Sequence, residues 1–430
     1  MAKPLIMWYI NGMKILAIET SCDETAIALV EVTEKSGKTK FKILGNEVSS
    51  QIAIHTQYGG VFPMMAKREH GKNILGVLTK VLTEAKLYKP LKTATKLSNK
   101  ETEKIQKILE REEDLYKNFL DEITKIKNPK IDAIAVTTGP GLEPALWVGI
   151  SFSKALSSYW NIPFIPVNHM EGHIFSIFPN QGKSFTVDSD KKIFPIISLL
   201  VSGGHTELVL MKDWMKYKKI GKTRDDASGE AFDKVARVLG LPYPGGPEVS
   251  KLAAQERSSN VFSIHPFTLP RPMINSKDYD FSFSGLKTAV LYLVRDLKEK
   301  YNEKELKKLF GPNSSWQQKV ACEFENSVVE VLVSKTIKAL REYGAKTLIV
   351  GGGVSANKYL QEIMSQKITE LNFNSPTTKK ITKKIQVYFP TRSLTGDNAL
   401  MIGIAGFFQF KNKKIAKNLN SVKANGNLSL

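Results

Sequence analysis

The sequence predicts an α/β protein built from two similar lobes. At 430 residues the chain is too long for one ordinary core. Short apolar runs closed by turn residues alternate with stretches of helical periodicity. The order of these elements in the first half returns in the second: strand, polar or glycine turn, strand, helices, then a further strand–glycine–helix unit.

Residues 1–12 stand ahead of the first strand as an extension, and residues 13–190 form lobe I. Met13–Glu19 is short, apolar and closed by a polar cluster, so it reads as a strand. Residues 26–32 pair with it as a hairpin around Thr20-Ser21-Cys22-Asp23-Glu24-Thr25. Residues 64–87 carry Ile74, Val77, Leu78, Val81 and Leu82 at helical spacing. Residues 88–130 break the pattern with dense charge of both signs. Ser98 followed by Glu101 resembles a capping box. An intermittent apolar stripe from Ile105 to Ile123 then suggests one or two inserted surface helices, a solvated decoration. Residues 131–137 return to a buried strand, followed by a glycine loop, a helix over 146–160 and a short strand at 164–167.

Lobe II spans residues 191–400. The apolar run at 194–201 pairs with 207–211 across a glycine turn, and 347–350 is a buried strand ending in glycines. A helix near 397–410 is expected to pack back on lobe I. Residues 411–430 hold five lysines and no carboxylate and read as a frayed basic tail.

Composition limits the function classes. Hydrophobic residues make up 42% of the chain, enough for real cores. No uncharged apolar stretch reaches the ~18 residues of a membrane span, and residues 5–10 are too short for the apolar core of a signal peptide. Cys22 and Cys322 lie far apart and suit a reducing, cytoplasmic setting. The net charge of +20 suggests a polyanionic partner, nucleic acid first.

His169-Met170-Glu171-Gly172-His173 is the strongest local signal. Two histidines four apart share one face of a helix and can ligate one metal ion. Glu171 follows the first histidine by two residues, so the H-E-x-x-H peptidase spacing is not met. A third ligand must come from elsewhere. Asp397, freed by Gly396 just before it, is a good candidate. Two imidazoles and a carboxylate leave positions open, as a catalytic Fe(II) or Zn(II) requires.

Three glycine turns follow strands: Gly139-Pro140-Gly141, Ser202-Gly203-Gly204 and Gly351-Gly352-Gly353. Their backbone amides could face a phosphate, and none matches the P-loop pattern. Asp225-Asp226-Ala227-Ser228-Gly229-Glu230 and Asp233 put acids around a helix start, where an acid could hold ribose hydroxyls or simply complement the helix dipole. Tyr243-Pro244-Gly245-Gly246-Pro247 is a rigid turn able to pass close to a sugar.

In this order, the motifs resemble the universal t6A transferase family, whose bacterial member is called TsaD. The marks are I-E-T-S-C-D-E-T at 18–25, Y-G-G-V-F-P at 58–63, G-P-G-L at 139–142, H-M-E-G-H at 169–173, L-V-S-G-G-H-T at 200–206, D-D-A-S-G-E-A-F-D-K at 225–234, Y-P-G-G-P at 243–247, F-S-F-S-G-L-K-T at 281–288, G-G-V-S-A-N at 352–357 and T-G-D-N-A at 395–399. The resemblance implies an actin/Hsp70-like (ASKHA) fold, two RNase H-like lobes with an interlobe cleft. It implies transfer of a threonylcarbamoyl group from threonylcarbamoyl-AMP to N6 of adenosine 37 in tRNAs reading codons that begin with A. It implies a metal on His169, His173 and Asp397, with Fe(II) ahead of Zn(II). It implies an adenylate contacted by Leu200, Val201, Ser202, Gly203, Gly204, Asp233, Gly246 and Asn357, and an acid needed for activity at Asp23. Partners implied are tRNA, a TsaB-like paralogue and a TsaE-like ATPase, with no membrane. Met64, Asn168, Glu143-Pro144 and the 88–130 insert depart from the family's pattern. The alternatives are an ATPase or kinase of the same fold, a metallopeptidase and a non-catalytic tRNA-binding scaffold.

Overall fold

The structure is a computed structural model and describes residues 12–35, 37–179, 182–188, 193–259, 267–310, 315–373 and 384–430. The expected extension at 1–12 lies outside the described residues except for Gly12. The chain forms two compact units, Met1–Lys191 with Gly396–Leu430, and Lys192–Thr395.

The first unit opens with β1 (Met13–Glu19), β2 (Glu24–Lys35) and β3 (Lys38–Ser50), an antiparallel meander. Two helices follow, α1 (Ile52–Thr56) and α2 (Pro63–Glu84), then α3 (Asn99–Ile108) and α4 (Glu113–Glu122). β4 (Ala133–Gly139), α5 (Glu143–Trp160) and β5 (Phe164–Asn168) make a crossover that lays both strands parallel to β1. The seven-residue α6 (His169–Phe175) and the edge strand β6 (Ser184–Asp188) complete the run. The sheet order is β5-β4-β1-β2-β3-β6. Every residue of β4 is buried, the pattern of a strand covered on both faces.

The second unit repeats this wiring. β7 (Ile196–Val201), β8 (Thr206–Asp213) and β9 (Lys216–Lys222) form an antiparallel meander. Helices α7 (Ser228–Val238), α8 (Gly245–Ser258), α9 (Ser284–Lys300), α10 (Glu303–Phe310) and α11 (Trp316–Tyr343) precede β10 (Thr347–Gly351). Then come α12 (Lys358–Phe373) and β11 (Gln386–Tyr388), with β10 and β11 parallel to β7. The order β11-β10-β7-β8-β9 matches β5-β4-β1-β2-β3 of the first unit. Two RNase H-like units with the same strand order are the two lobes that the sequence predicts.

Asp225 ties two sequence motifs together in the second unit. Its carboxylate accepts from the Ser282 hydroxyl at 2.5 Å, the Phe283 and Ser284 amides at 2.8 and 3.2 Å, and the Ser284 hydroxyl at 2.8 Å. It therefore caps α9 from a distance rather than facing a sugar. These bonds outweigh partial burial and lower its pKa below the ordinary carboxylate value.

The chain returns to the first unit through α13 (Ala399–Lys411). All residues from Ala399 to Phe410 are buried, and the helix packs on β1, β2, β5 and α6.

Two expectations are corrected here. The 88–130 insert is not a solvated decoration. Its capping box forms as expected, with Ser98 and Glu101 bonding reciprocally. Yet Ile105, Leu109, Leu115, Phe119, Ile123 and Ile126 join the core of the unit. The ring of Phe119 meets those of Phe152 and Tyr159 edge-on. The intermittent stripe is a core face, and the charges occupy the opposite one.

Nor is the 411–430 segment frayed. The Ala416 amide donates to Phe164 O at 2.9 Å, the Lys154 ammonium to Val422 O at 2.7 Å, and the Asn425 amide to Thr138 O at 2.9 Å. Ala416, Leu419, Val422 and Ala424 pack on the core. The segment also occupies the Gly139-Pro140-Gly141 turn. The Gly141 amide donates to Gly426 O at 3.2 Å, and a Cβ at Gly139 (φ 146°) would stand 1.9 Å from Asn425 O. Those glycines make room for the chain's own backbone and not for a phosphate.

Phe119→Ala should therefore cost about 3–5 kcal/mol, the range for a large core truncation. A denaturant midpoint shift of less than ~1 kcal/mol, typical of surface positions, would restore the decoration reading. Asp225→Asn should cost about 1 kcal/mol, the scale of a lost helix cap. Because the folded-state pKa is depressed, the gap between wild type and variant is full above the unfolded carboxylate pKa. It closes as pH falls through the lowered value. Unfolding curves at a series of pH values test this, and a gap unchanged down to the acid limit would contradict it.

Candidate metal centre

β5 delivers the histidine pair. It ends at Asn168, whose side-chain oxygen accepts from the Met170 amide at 2.8 Å and the Glu171 amide at 3.4 Å. Asn168 is thus the N-cap of α6, a position that asparagine favours. One turn of helix separates His169 from His173, and both are buried. Their rings lie 4.6 Å apart between centroids at 80°.

Asp397 arrives from the other end of the unit. Asn398 caps α13 by accepting from the Met401 amide at 3.0 Å, and its own amide donates to Gly396 O at 2.9 Å. This fixes the residue between them. One Asp397 oxygen stands 3.3 Å from His169 Nε2 and 3.4 Å from His173 Nε2. One ligand atom from each of the three residues lies within 4.8 Å of the others.

The donor set fits a metal ion on two counts. Neighbouring ligand atoms of a tetrahedral ion with bonds of ~2.0–2.1 Å sit about 3.3–3.4 Å apart, which the carboxylate–imidazole spacings match. His173 is fully buried, and its ring makes no well-formed hydrogen bond: Nε2 only approaches Asp397 at 3.4 Å. A buried imidazole so weakly paired is costly unless something else occupies its lone pair.

Behind the triad stands Glu19, at the end of β1 and fully buried. Its Oε2 lies 3.2 Å from His169 Nδ1 and accepts from the Thr137 hydroxyl, while Oε1 accepts from the Ser21 amide at 2.6 Å. Ser21 Oγ is 3.2 Å from the same Nδ1 and donates to Asp397 at 3.5 Å. Burial alone would lower the His169 pKa, but the Asp397 and Glu19 carboxylates raise it well above the ordinary imidazole value. For Asp397 burial pulls upward, and the two imidazoles overcome it and hold the carboxyl well below the usual range. Burial lowers the pKa of His173. His173 and Asp397 thus lean toward the neutral imidazole and the carboxylate that a cation binds, whereas Asp397 and Glu19 favour an extra proton on His169, which a bound cation would displace.

The loop after β1 carries Asp23, which is 7% exposed. Its carbonyl accepts from the Gln51 amide at 2.9 Å. From behind, His70 of α2 places Nε2 3.0 Å from Cys22 O and Nδ1 2.7 Å from the Thr25 hydroxyl. One neutral tautomer satisfies both bonds, with the proton on Nε2, and burial lowers the His70 pKa toward that form. Burial, then Asp23, pushes the Glu24 carboxyl well above its ordinary value. The same burial and carboxylates raise the Cys22 thiol, so it stays protonated.

Glu171 is buried and accepts from Gln409 of α13. It is not one of the triad's ligands, and a peptidase base is not supplied from this helix.

The expected adenylate contacts all fall in the second unit. Leu200 and Val201 are buried at the end of β7. The Ser202 amide donates to His205 O at 2.8 Å, closing the turn that holds Gly203 and Gly204. Among the described residues beyond the turn itself, no heavy atom lies within 4 Å of a Cβ built on either glycine, so that side of the turn is open, while the Gly203 backbone packs closely on Gly229. Asp233 of α7 accepts from the Gly245 amide at 2.7 Å, and burial raises its pKa. It pins the turn that carries Gly246. Asn357 donates to Ser250 of α8 at 3.0 Å and to Glu325 of α11 at 2.6 Å, and its oxygen caps α12 at the Leu360 amide. Both side chains thus hold neighbouring elements in place.

Sequence reasoning from residue types missed Glu19, Ser21, Glu24 and His70. For Glu19 a signal was present: an acid closing the apolar run at 15–18 must be paired if buried.

The family model described as "TsaD: tRNA N6-adenosine threonylcarbamoyltransferase" matches residues 42–92 and 106–404. A tRNA N6-adenosine threonylcarbamoyltransferase of Polynucleobacter necessarius subsp. necessarius is 40% identical over 411 residues, 95% of this chain and 94% of that protein. One of Staphylococcus aureus (strain bovine RF122 / ET3-1) is 38% identical over 402 residues, 94% of this chain and 93% of that protein. Among solved structures, full-length HypF in its phosphate- and nucleotide-bound form aligns at TM-score 0.48 and 12% identity, over 93% of this chain and 46% of that one. The family match covers both units and runs through the histidine pair and Asp397, so this chain belongs to the TsaD family of tRNA N6-adenosine threonylcarbamoyltransferases.

Proposed function

We propose that this chain transfers a threonylcarbamoyl group from threonylcarbamoyl-AMP to N6 of adenosine 37 in tRNAs reading codons that begin with A. The observation that carries the reading is the triad of buried His169 and His173 with half-buried Asp397, inside a chain alike over nearly its full length to enzymes of that name. In the reaction, the exocyclic amine attacks the carbamoyl carbon and a C–N bond forms. The C–O bond to the phosphate breaks, AMP leaves with the electron pair, and the amine gives up a proton.

The triad would hold one divalent ion, Fe(II) ahead of Zn(II). When bound, it supplies a Lewis acid that polarises an oxygen of the reacting group and orients it. Glu19 holds His169 with Nε2 turned toward the ligand position. Asp23 would be the acid that takes the proton from the amine. Glu24 beside it, pushed toward its neutral form, can hold a proton within the same loop. The Ser202-Gly203-Gly204 turn would receive the AMP, and its open side supports that role. Asp233 and Asn357 would keep Gly246 and its helix in position. A TsaB-like paralogue and a TsaE-like ATPase complete the reading as expected partners. No described helix is long and apolar enough to cross a membrane, and the proposed setting is the cytoplasm.

Nucleoside mass spectrometry of tRNA incubated with the chain, threonine, bicarbonate, ATP and partner proteins tests the activity. Wild type should form the modified adenosine, and His173→Ala should lose at least about 100-fold in rate, the several kcal/mol a Lewis acid contributes. A His173→Ala protein that retains metal and full activity would overturn the assignment. Glu19→Gln should weaken Fe(II) or Zn(II) binding about 10–100-fold, the usual effect of removing an outer-shell carboxylate. Competition against a chelator measures this, and unchanged affinity would show that Glu19 serves the fold alone.

A further inference from the structure

We infer that the C-terminal segment 412–430 is a preformed docking strap for the RNA backbone. The inference rests on tRNA being the substrate. The segment holds Lys413, Lys414, Lys417 and Lys423 and no carboxylate. All four lysines are exposed, and none lies within ion-pair distance of a carboxylate among the described residues. Some exposed lysines of the same unit are neutralised, Lys72 by Glu69 at 2.5 Å and Lys80 by Glu47 at 2.7 Å, while Lys100, Lys104, Lys107 and Lys117 of the insert are exposed and as unpaired as those of the strap among the described residues. Lys411, just ahead of the strap, pairs with Glu34.

Backbone anchoring separates this segment from an ordinary charged tail. Its main chain is bonded to Phe164, Lys154, Thr138 and Gly141. From Ser421 onward the residues alternate: Val422, Ala424, Gly426 and Leu428 turn inward, and Lys423, Asn425, Asn427 and Ser429 face solvent. The outward set is cationic or amide and hydroxyl, the groups that bind phosphate and ribose. Because the main chain is already fixed, binding loses little ordering entropy.

Position supplies the second line of support. Gly426 O accepts from the Gly141 amide at 3.2 Å, and the neighbouring Leu142 amide donates to Ser21 O at 2.8 Å. Ser21 Oγ in turn contacts His169 and Asp397. Three residues therefore separate the strap from the triad. Phosphates held along the strap would therefore lie on the same unit as the triad.

The test is fluorescence anisotropy of labelled tRNA with the full chain across about 50–200 mM salt. A variant carrying Lys413→Gln, Lys414→Gln, Lys417→Gln and Lys423→Gln should lose at least about tenfold in affinity. Its slope of log K against log salt should fall by about 2–4, near 0.7–0.9 for each phosphate that is no longer neutralised. The matching Lys→Arg variant should bind as wild type. A control with Lys100→Gln, Lys104→Gln, Lys107→Gln and Lys117→Gln on the insert changes net charge equally and should lose much less. Equal loss in both glutamine variants would assign the effect to net charge and overturn the strap, as would wild-type affinity and slope in the first. A wild-type chain that binds no tRNA would instead sink the substrate reading itself.

Discussion

The chemistry of the first unit depends on how closely helix α13 lies on the sheet. Its buried residues are almost all apolar, so it has no solvent face and is driven wholly inside. Two glycines three apart set the distance. A Cβ on Gly406 would stand 2.5 Å from the Ala135 Cβ, and one on Gly403 would meet Ala17 and Val30 at 3.3 Å. Gly172 does the same for α6, where a side chain would press on Met401 and Ile402. The Glu171–Gln409 bond then locks the sliding of one helix past the other. Asp397 sits immediately before the N-cap of α13 and the histidines sit on α6, so this seam fixes the ligand distances. Loss of about an ångström here would separate groups 228 positions apart in sequence.

A second constraint is electrostatic. Two imidazoles, two carboxylates and a hydroxyl are gathered where little water reaches. Such a cluster is stable only if each group has a partner of opposite character. Glu19 meets this with three partners: His169, Thr137 and the Ser21 amide. The same serine links the strand end to Asp397. The loop carrying Asp23 is held by His70 and Gln51, so the acid, the histidines and Asp397 share one rigid frame rather than separate loops.

Much of this was legible in the sequence. Apolar runs located the strands, and Ser98 with Glu101 located a helix start. The spacing of His169 and His173 located one face of a helix, and Gly396 before Asp397 marked a third candidate ligand. The family marks joined these into one fold. Other features were hidden for physical reasons. The stripe from Ile105 to Ile123 looks the same whether it meets solvent or a sheet, since only the neighbour decides. The tail's lysines suggested fraying, while the small alternating residues from Val422 to Leu428 were the sign of a packed strand-like segment. Glycines at 139 and 141 could equally admit a phosphate or a backbone, and the backbones that fill the space belong to Asn425 and Ser21, both far from them in sequence. The resemblance implies Asp233 and Asn357 as ligand contacts, and their bonds to Gly245, Ser250 and Glu325 were not legible because they depend on packing that no local pattern encodes.

The most direct measurement is anomalous scattering from crystals of the protein loaded with Fe(II) or Zn(II), recorded on either side of the metal's absorption edge. The account predicts one strong peak about 2.0–2.2 Å from Nε2 of His169, Nε2 of His173 and a carboxylate oxygen of Asp397. A peak held by other residues, or no peak at the triad after loading, would contradict it.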